Sequence, residues 1–212
     1  MWTKIVKIMG YSNFKKLNQV TKKFGLDARI TDLFPVISPV KPSDWLNTSL
    51  EIAVKMPLTN EKNKSERLVS PVLMEIAVAF QDYVTLLSGE DVTLNAADDL
   101  SGPCDFFFGL HPQKPYLETP IISLVEAKDE DLDWGIAQCA AQLYAANLLN
   151  KQEEKDISTL YGCATTGVEW LYLKLENNMF WIDRKPQTDI NQILGTWHWI
   201  MTYFIETYVK NK

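Results

Sequence analysis

At 212 residues, with 46% hydrophobic and 23% charged side chains, the chain has the make-up of an ordinary globular protein with one full core and room for a small appendage. Its three cysteines, Cys104, Cys139 and Cys163, are spread out, with no CxxC and no histidine at zinc-ligand spacing; this argues against a disulfide framework and for a reducing, cytoplasmic setting. The net charge of −6 is not the basic balance of a protein that grips duplex DNA along its backbone.

The start, Met1-Trp2-Thr3-Lys4-Ile5-Val6-Lys7, lacks a long apolar run, so no signal peptide is expected, and no run reaches membrane-spanning length. Residues 3–9 read as a short strand or extended lead-in. Ser12 suits the N-cap of a helix whose Phe14, Leu17 and Phe24 share a face and which Gly25 ends. Residues 26–42 read as irregular, punctuated by Pro35, Pro39 and Pro42. Ser43 caps a second helix, Asp44 to about Met56, with Leu46, Leu50 and Val54 on one face. Residues 1–60 are thus expected to form an N-terminal helical appendage on a domain of residues 61–212.

Residues 60–64 read as a polar link, and a long helix is expected from about Ser65 to Ser88. Its apolar stripe is Val69, Val72, Leu73, Ile76, Phe80, Tyr83 and Leu87, and Pro71 either kinks it or restarts it with Ser70 as cap. Three strands follow: Val92–Ala97, Cys104–Leu110 and Pro120–Lys128. Asp131 or Asp133 caps a helix from Trp134 to Asn150. Strands at Ser158–Thr165, Glu169–Leu175 and Met179–Asp183 come next, the last two joined by Asn177-Asn178, a suitable type I′ turn pair. A helix from Ile190 to about Tyr208 closes the chain. The order α-β-β-β-α-β, then a hairpin and a helix, makes an α/β protein with a mixed β-sheet flanked by helices.

The stretch 120–128 organises the rest. Ile122 and Leu124 lie on one face, Ile121, Val125 and Ala127 on the other, as in a strand covered from both sides. It ends in Glu126 and Lys128, which the period of two puts on one face. A buried charge needs a partner or a metal. Phosphodiester cleavage needs such a set. Two carboxylates on adjacent strands suit Mg²⁺ or Mn²⁺, and a lysine two residues beyond one of them adds positive charge and orients water. Asp105, an acid where Phe106-Phe107-Phe108 leads one to expect core, is the second carboxylate.

Gly102-Pro103-Cys104-Asp105, Glu126-Ala127-Lys128 and Gln138 on the following helix resemble the PD-(D/E)XK nuclease superfamily, whose restriction-endonuclease-like core has the same element order. Ser65-Glu66-Arg67-Leu68-Val69 and Gly135-Ile136-Ala137-Gln138-Cys139 resemble phrases in small uncharacterised cyanobacterial members. The resemblance covers roughly residues 62–183. It implies Asp105 and Glu126 as metal ligands, Lys128 as the catalytic lysine, Glu66 as an accessory helix acid and Gln138 as a positioning residue. Two departures stand out. The proline usually next to the aspartate is one position further back, at Pro103. Glu75 competes with Glu66: nine positions apart, they differ by roughly 180° on an ideal helix, so at most one faces the site unless Pro71 bends the axis; Glu66 lies nearer the apolar stripe. The implied function is a Mg²⁺- or Mn²⁺-dependent endonuclease acting on nucleic acid, with DNA expected. The alternative is a nuclease fold without turnover, serving as a nucleic-acid or protein interaction module.

Other signals are weaker. Glu153-Glu154-Lys155 and Asp183-Arg184-Lys185 repeat the acid-x-lysine pattern in apparent loops. His111 reads as a surface residue and His198 as a packing residue. Residues 1–30 carry seven basic side chains and one acid, whereas residues 89–133 carry eleven acids and two lysines. The first excess reads as a solvated helix face, and metal would offset part of the second. The Trp, Phe and Tyr of the last helix suggest a homodimer.

Overall fold

A computed structural model describes residues 10–210. The strand expected at 3–9 lies outside the described residues. Seven strands form one mixed sheet in the order β1-β7-β6-β5-β4-β3-β2. In chain order the described elements are α1 (Leu17–Phe24), β1 (Asp27–Thr31), α2 (Asp44–Ala53), α3 (Glu61–Lys64), α4 (Ser70–Ala79), β2 (Thr85–Ser88), β3 (Phe106–Gly109) and β4 (Ile121–Ala127). There follow α5 (Leu132–Gln152), β5 (Thr159–Thr165), β6 (Trp170–Glu176), β7 (Met179–Asp183) and α6 (Ile190–Ile205). The protein is α/β, as the sequence implies. No described helix is long and apolar enough to cross a membrane.

Strands β2, β3 and β4 pair antiparallel, and α5 carries the chain from β4 to a parallel β5. β6 and β7 continue antiparallel through Asn177 and Asn178, both at positive φ as a type I′ turn requires. β1 closes the sheet by pairing parallel with β7. Each side of the sheet is then covered. Helix α5 lies over Gly162 and Leu173, and α1 packs along α5 with the Phe24 and Tyr144 rings 4.6 Å apart. On the other face Trp197 of α6 meets Phe108, Trp170 and Tyr172. All three cysteines are buried and unpaired.

Three local expectations change. Residues 27–31 are a strand rather than irregular chain. Their few apolar residues carry no clear alternation, and pairing with the distant β7 supplies what local sequence does not. The long helix begins earlier and ends earlier. Asn60 caps it by accepting the Asn63 N–H, and a π turn at Ser65–Val69 precedes Pro71. The chain turns after Phe80, and Thr85–Ser88 is β2; Tyr83 and Leu87 fit a helical stripe only because their spacing allows both readings. Val92–Ala97 is no strand. It belongs to a loop held by the isolated bridges Asp91–Pro103 and Asn95–Leu100.

The contact between α5 and β5 depends on Gly162. A Cβ there would lie 2.7 Å from Cys139 Sγ and from Leu143 Cδ1 and 2.8 Å from Leu173 Cδ2. Gly162→Ala is therefore expected to destabilise the fold by about 1–3 kcal/mol, as overpacked cores do. A urea titration reads this; an unchanged midpoint would show that α5 moves away freely.

Candidate active site

Strand β4 is buried along its whole length. Its charged end stays buried too: Glu126 is 4% exposed and Lys128 6%. The pair is direct, with Lys128 Nζ 2.7 Å from Glu126 Oε1. The Lys128 backbone N–H donates to Thr165 O at 2.8 Å, which extends the β4–β5 ladder past the strand end and fixes the lysine. Asp105 stands just before β3. Continuing the Phe106–Val125 register places it opposite Glu126, and its Oδ2 accepts the Ala127 N–H at 2.8 Å.

Helices complete the surroundings. Gln142 of α5 donates through Nε2 to Glu126 Oε2 at 2.7 Å. Gly135 lets the first turn of α5 come close: a Cβ there would lie 2.9 Å from Ala164 Cβ and 3.1 Å from Lys128 Cγ. The Trp134 ring centroid is 5.2 Å from Lys128 Nζ, within cation–π range. From α3, Glu61 Oε2 lies 3.4 Å from the same ammonium. Asp105, Glu61 and Glu66 line a cleft of about 390 Å³ that opens beside the pair.

Three carboxylates thus surround one ammonium. Burial, and then the charge of Asp105, push the Glu126 carboxyl up to about 7, although Lys128 and Gln142 pull the other way. Burial also raises Asp105, with Glu61 adding to it and the Ala127 N–H and Lys128 opposing. Burial alone would lower Lys128, but Glu126 beside it, with Glu61 and Asp105, raises it instead. In a simple ion pair the acid would fall. Here both partners rise: burial leads at Glu126, with the charge of Asp105 adding to it, and three carboxylates together outweigh burial at Lys128. That excess of negative charge is what a divalent cation would relieve.

Of the residues expected from sequence, Asp105, Glu126 and Lys128 come together. Gln138 is buried on α5, and its Oε1 finds no hydrogen-bond partner among the described residues; the same holds for Gln142 Oε1. Glu66 lies on the cleft wall, its side chain 59% exposed and 3.6 Å from Lys62 Nζ. Glu75 faces elsewhere, accepting the Ser43 N–H at 2.7 Å and the Ser43 hydroxyl at 2.5 Å at the start of α2. His111 Nε2 sits 3.1 Å from Glu118 O, beside its own loop.

Two residues at the centre escaped sequence reasoning. Glu61 was hidden in a segment read as a polar link. The available signal was Asn60, a good N-cap immediately before an acid in the first helical turn. Trp134 shows in the sequence only as the start of a helix.

Among the described residues, no group of three or more His, Cys, Asp and Glu side chains is arranged to hold a metal unaided. Mg²⁺ needs only one or two carboxylates and keeps water for the rest of its shell. Asp105 and Glu126, close enough that the charge of the first raises the second, fit that requirement. No protein-family model matches the chain, and no match is found among curated proteins.

Proposed function

We propose that the chain is a metal-dependent nuclease of the PD-(D/E)XK type that hydrolyses phosphodiester bonds, with DNA as the expected substrate. One observation carries the reading: a strand buried on both faces ends in a carboxylate and a lysine 2.7 Å apart, with a second carboxylate hydrogen-bonded to the backbone between them. The order α4-β2-β3-β4-α5-β5, with three antiparallel strands and a parallel fourth, supports it.

Asp105 and Glu126 would hold Mg²⁺ or Mn²⁺, which when bound supplies charge neutralisation and Lewis-acid polarisation at the phosphate. The chain's own groups do the rest. Lys128 places a fixed positive charge where charge develops at phosphorus, and orients the attacking water. Glu126 and Glu61 hold that ammonium in place, and Gln142 keeps the Glu126 carboxylate turned toward it. The half-buried Trp134 covers the lysine and limits access of water.

The test is incubation of labelled single- and double-stranded DNA and RNA with the protein in Mg²⁺, in Mn²⁺ and in chelator. Cutting that needs the cation is the expected result and names the substrate. Absence of cutting on every substrate would overturn the reading. It would favour the second one, a non-catalytic interaction module, for which the engagement of both Glu126 oxygens by Lys128 and Gln142 is the supporting observation.

A further inference from the structure

A larger cleft, of about 700 Å³, opens at the same end and on the same face of the sheet as the acid–lysine centre. The register fixes this relation. Leu124, Gly162, Leu173, Ile182 and Ile30 pair in one continuous row across β4, β5, β6, β7 and β1. Glu126, Ala164 and Leu171 form the next row. Leu171, Ile182 and Ile30 make the cleft floor. At about 4.8 Å per strand it runs from roughly 10 to roughly 19 Å from β4. Ile30, on the edge strand, is 67% exposed.

The rim is charged. Lys15 and Lys16, just before α1, line the cleft, and neither enters a salt bridge among the described residues. Asp131 and Asp133 line the wall toward α5, and Asp131 Oδ1 accepts the Trp134 N–H at 2.9 Å as the helix cap. Trp134 joins cleft and centre: Lys15 Nζ lies 3.1 Å from its ring centroid and Lys128 Nζ 5.2 Å.

We propose that this cleft takes the single-stranded continuation of a polynucleotide past the centre, a role that rests on the nuclease reading for its link to cleavage. Unpaired bases present flat apolar faces that settle on the aliphatic floor, while the phosphates meet Lys15 and Lys16. A duplex keeps those faces stacked inside and shows phosphates and groove edges, so the floor would go unused. The net charge of −6 is also not the basic balance with which a protein holds a duplex by its phosphates.

The experiment titrates a labelled single strand of about twelve nucleotides, as DNA and as RNA, and the matching duplex, into the protein in chelator, read by fluorescence anisotropy. The single strand is expected to bind at least about tenfold more tightly than the duplex, with Ile30→Asp and Lys15→Glu each weakening it about tenfold, the equivalent of one stacking or charge contact. Ile52→Asp, an exposed aliphatic on α2 outside the cleft, should bind as wild type. Equal or tighter duplex binding, wild-type binding by both cleft variants, or no binding up to about 100 µM would overturn the proposal. Single-strand binding with those losses, but no cleavage in Mn²⁺, would remove the nuclease reading and keep the cleft. Cleavage with unaltered binding in both variants would do the reverse.

Discussion

Lys128→Ala is expected to slow cleavage about 10²–10³-fold, the usual cost of removing one charge aimed at a transition state. It should also destabilise the protein by about 3–5 kcal/mol, because it leaves Glu126 buried without its cation. The two effects separate by pH. Glu126 already takes up a proton at about 7, so below neutrality it becomes neutral and most of the stability cost disappears. The loss of cleavage does not recover. Lys128→Met, which keeps the apolar stem against Trp134 and α5, should lose cleavage to the same degree with a smaller change in folding. Initial rates at matched folded fraction, set by circular dichroism, decide the matter. A rate within about threefold of wild type would place Lys128 outside the chemistry.

The second large effect concerns the cation and pH together. Glu126 titrates in the folded protein at about 7, above its ordinary value, and Asp105 is raised too. Between the ordinary carboxylate range and about 7, the folded state holds protons that the unfolded chain has released. Stability without metal should therefore fall as pH rises through that window. Lys128, raised, contributes stability below its ordinary value and loses it only in strong alkali, so it does not blur the trend. Mn²⁺ must compete with those protons, so its stabilisation should be small at pH 5 and large at pH 8. At a hundredfold excess over Kd it amounts to about 2.7 kcal/mol, or roughly 5–10 °C in Tm for a chain of this size. Asp105→Asn keeps an acceptor for the Ala127 N–H but removes a charge; it should abolish most of the Mn²⁺ shift and lower the Glu126 pKa. Thermal melts with and without Mn²⁺ at the two pH values would show this, and an equal shift in the variant would argue that the cation binds elsewhere.

The centre was legible where sequence conflicts with itself. Glu126 and Lys128 interrupt an apolar strand, and Asp105 precedes three phenylalanines, so each announces a burial cost that must be offset. Strand β4, helix α5 and the β6–β7 hairpin were legible because long periodic runs and an Asn-Asn turn are local signals. Strand β1 was not, since Asp27–Thr31 owes its conformation to β7, about 150 residues away. Glu61 was missed because four polar residues after Asn60 look like a linker until Lys128 is there to receive the acid. The half-turn between Glu66 and Glu75 holds for an ideal helix, and the π turn at Ser65–Val69 departs from one.

That break has a consequence for how such a protein tolerates change in length. At the π turn the Ser70 N–H donates to Ser65 O, five residues back, so the turn holds one residue more than an α-helix would. Each residue of helix is worth about 100° of rotation and 1.5 Å of rise. Loss of one residue from 65–69 would remove that extra residue and leave Glu61 still turned toward Lys128, whereas loss of one from the regular turns of α4 would swing it about a quarter-turn away, though every side chain at the centre were still present. The direction of that acid is set by a residue count in those regular turns, and an insertion or deletion there would act on the site as a substitution does.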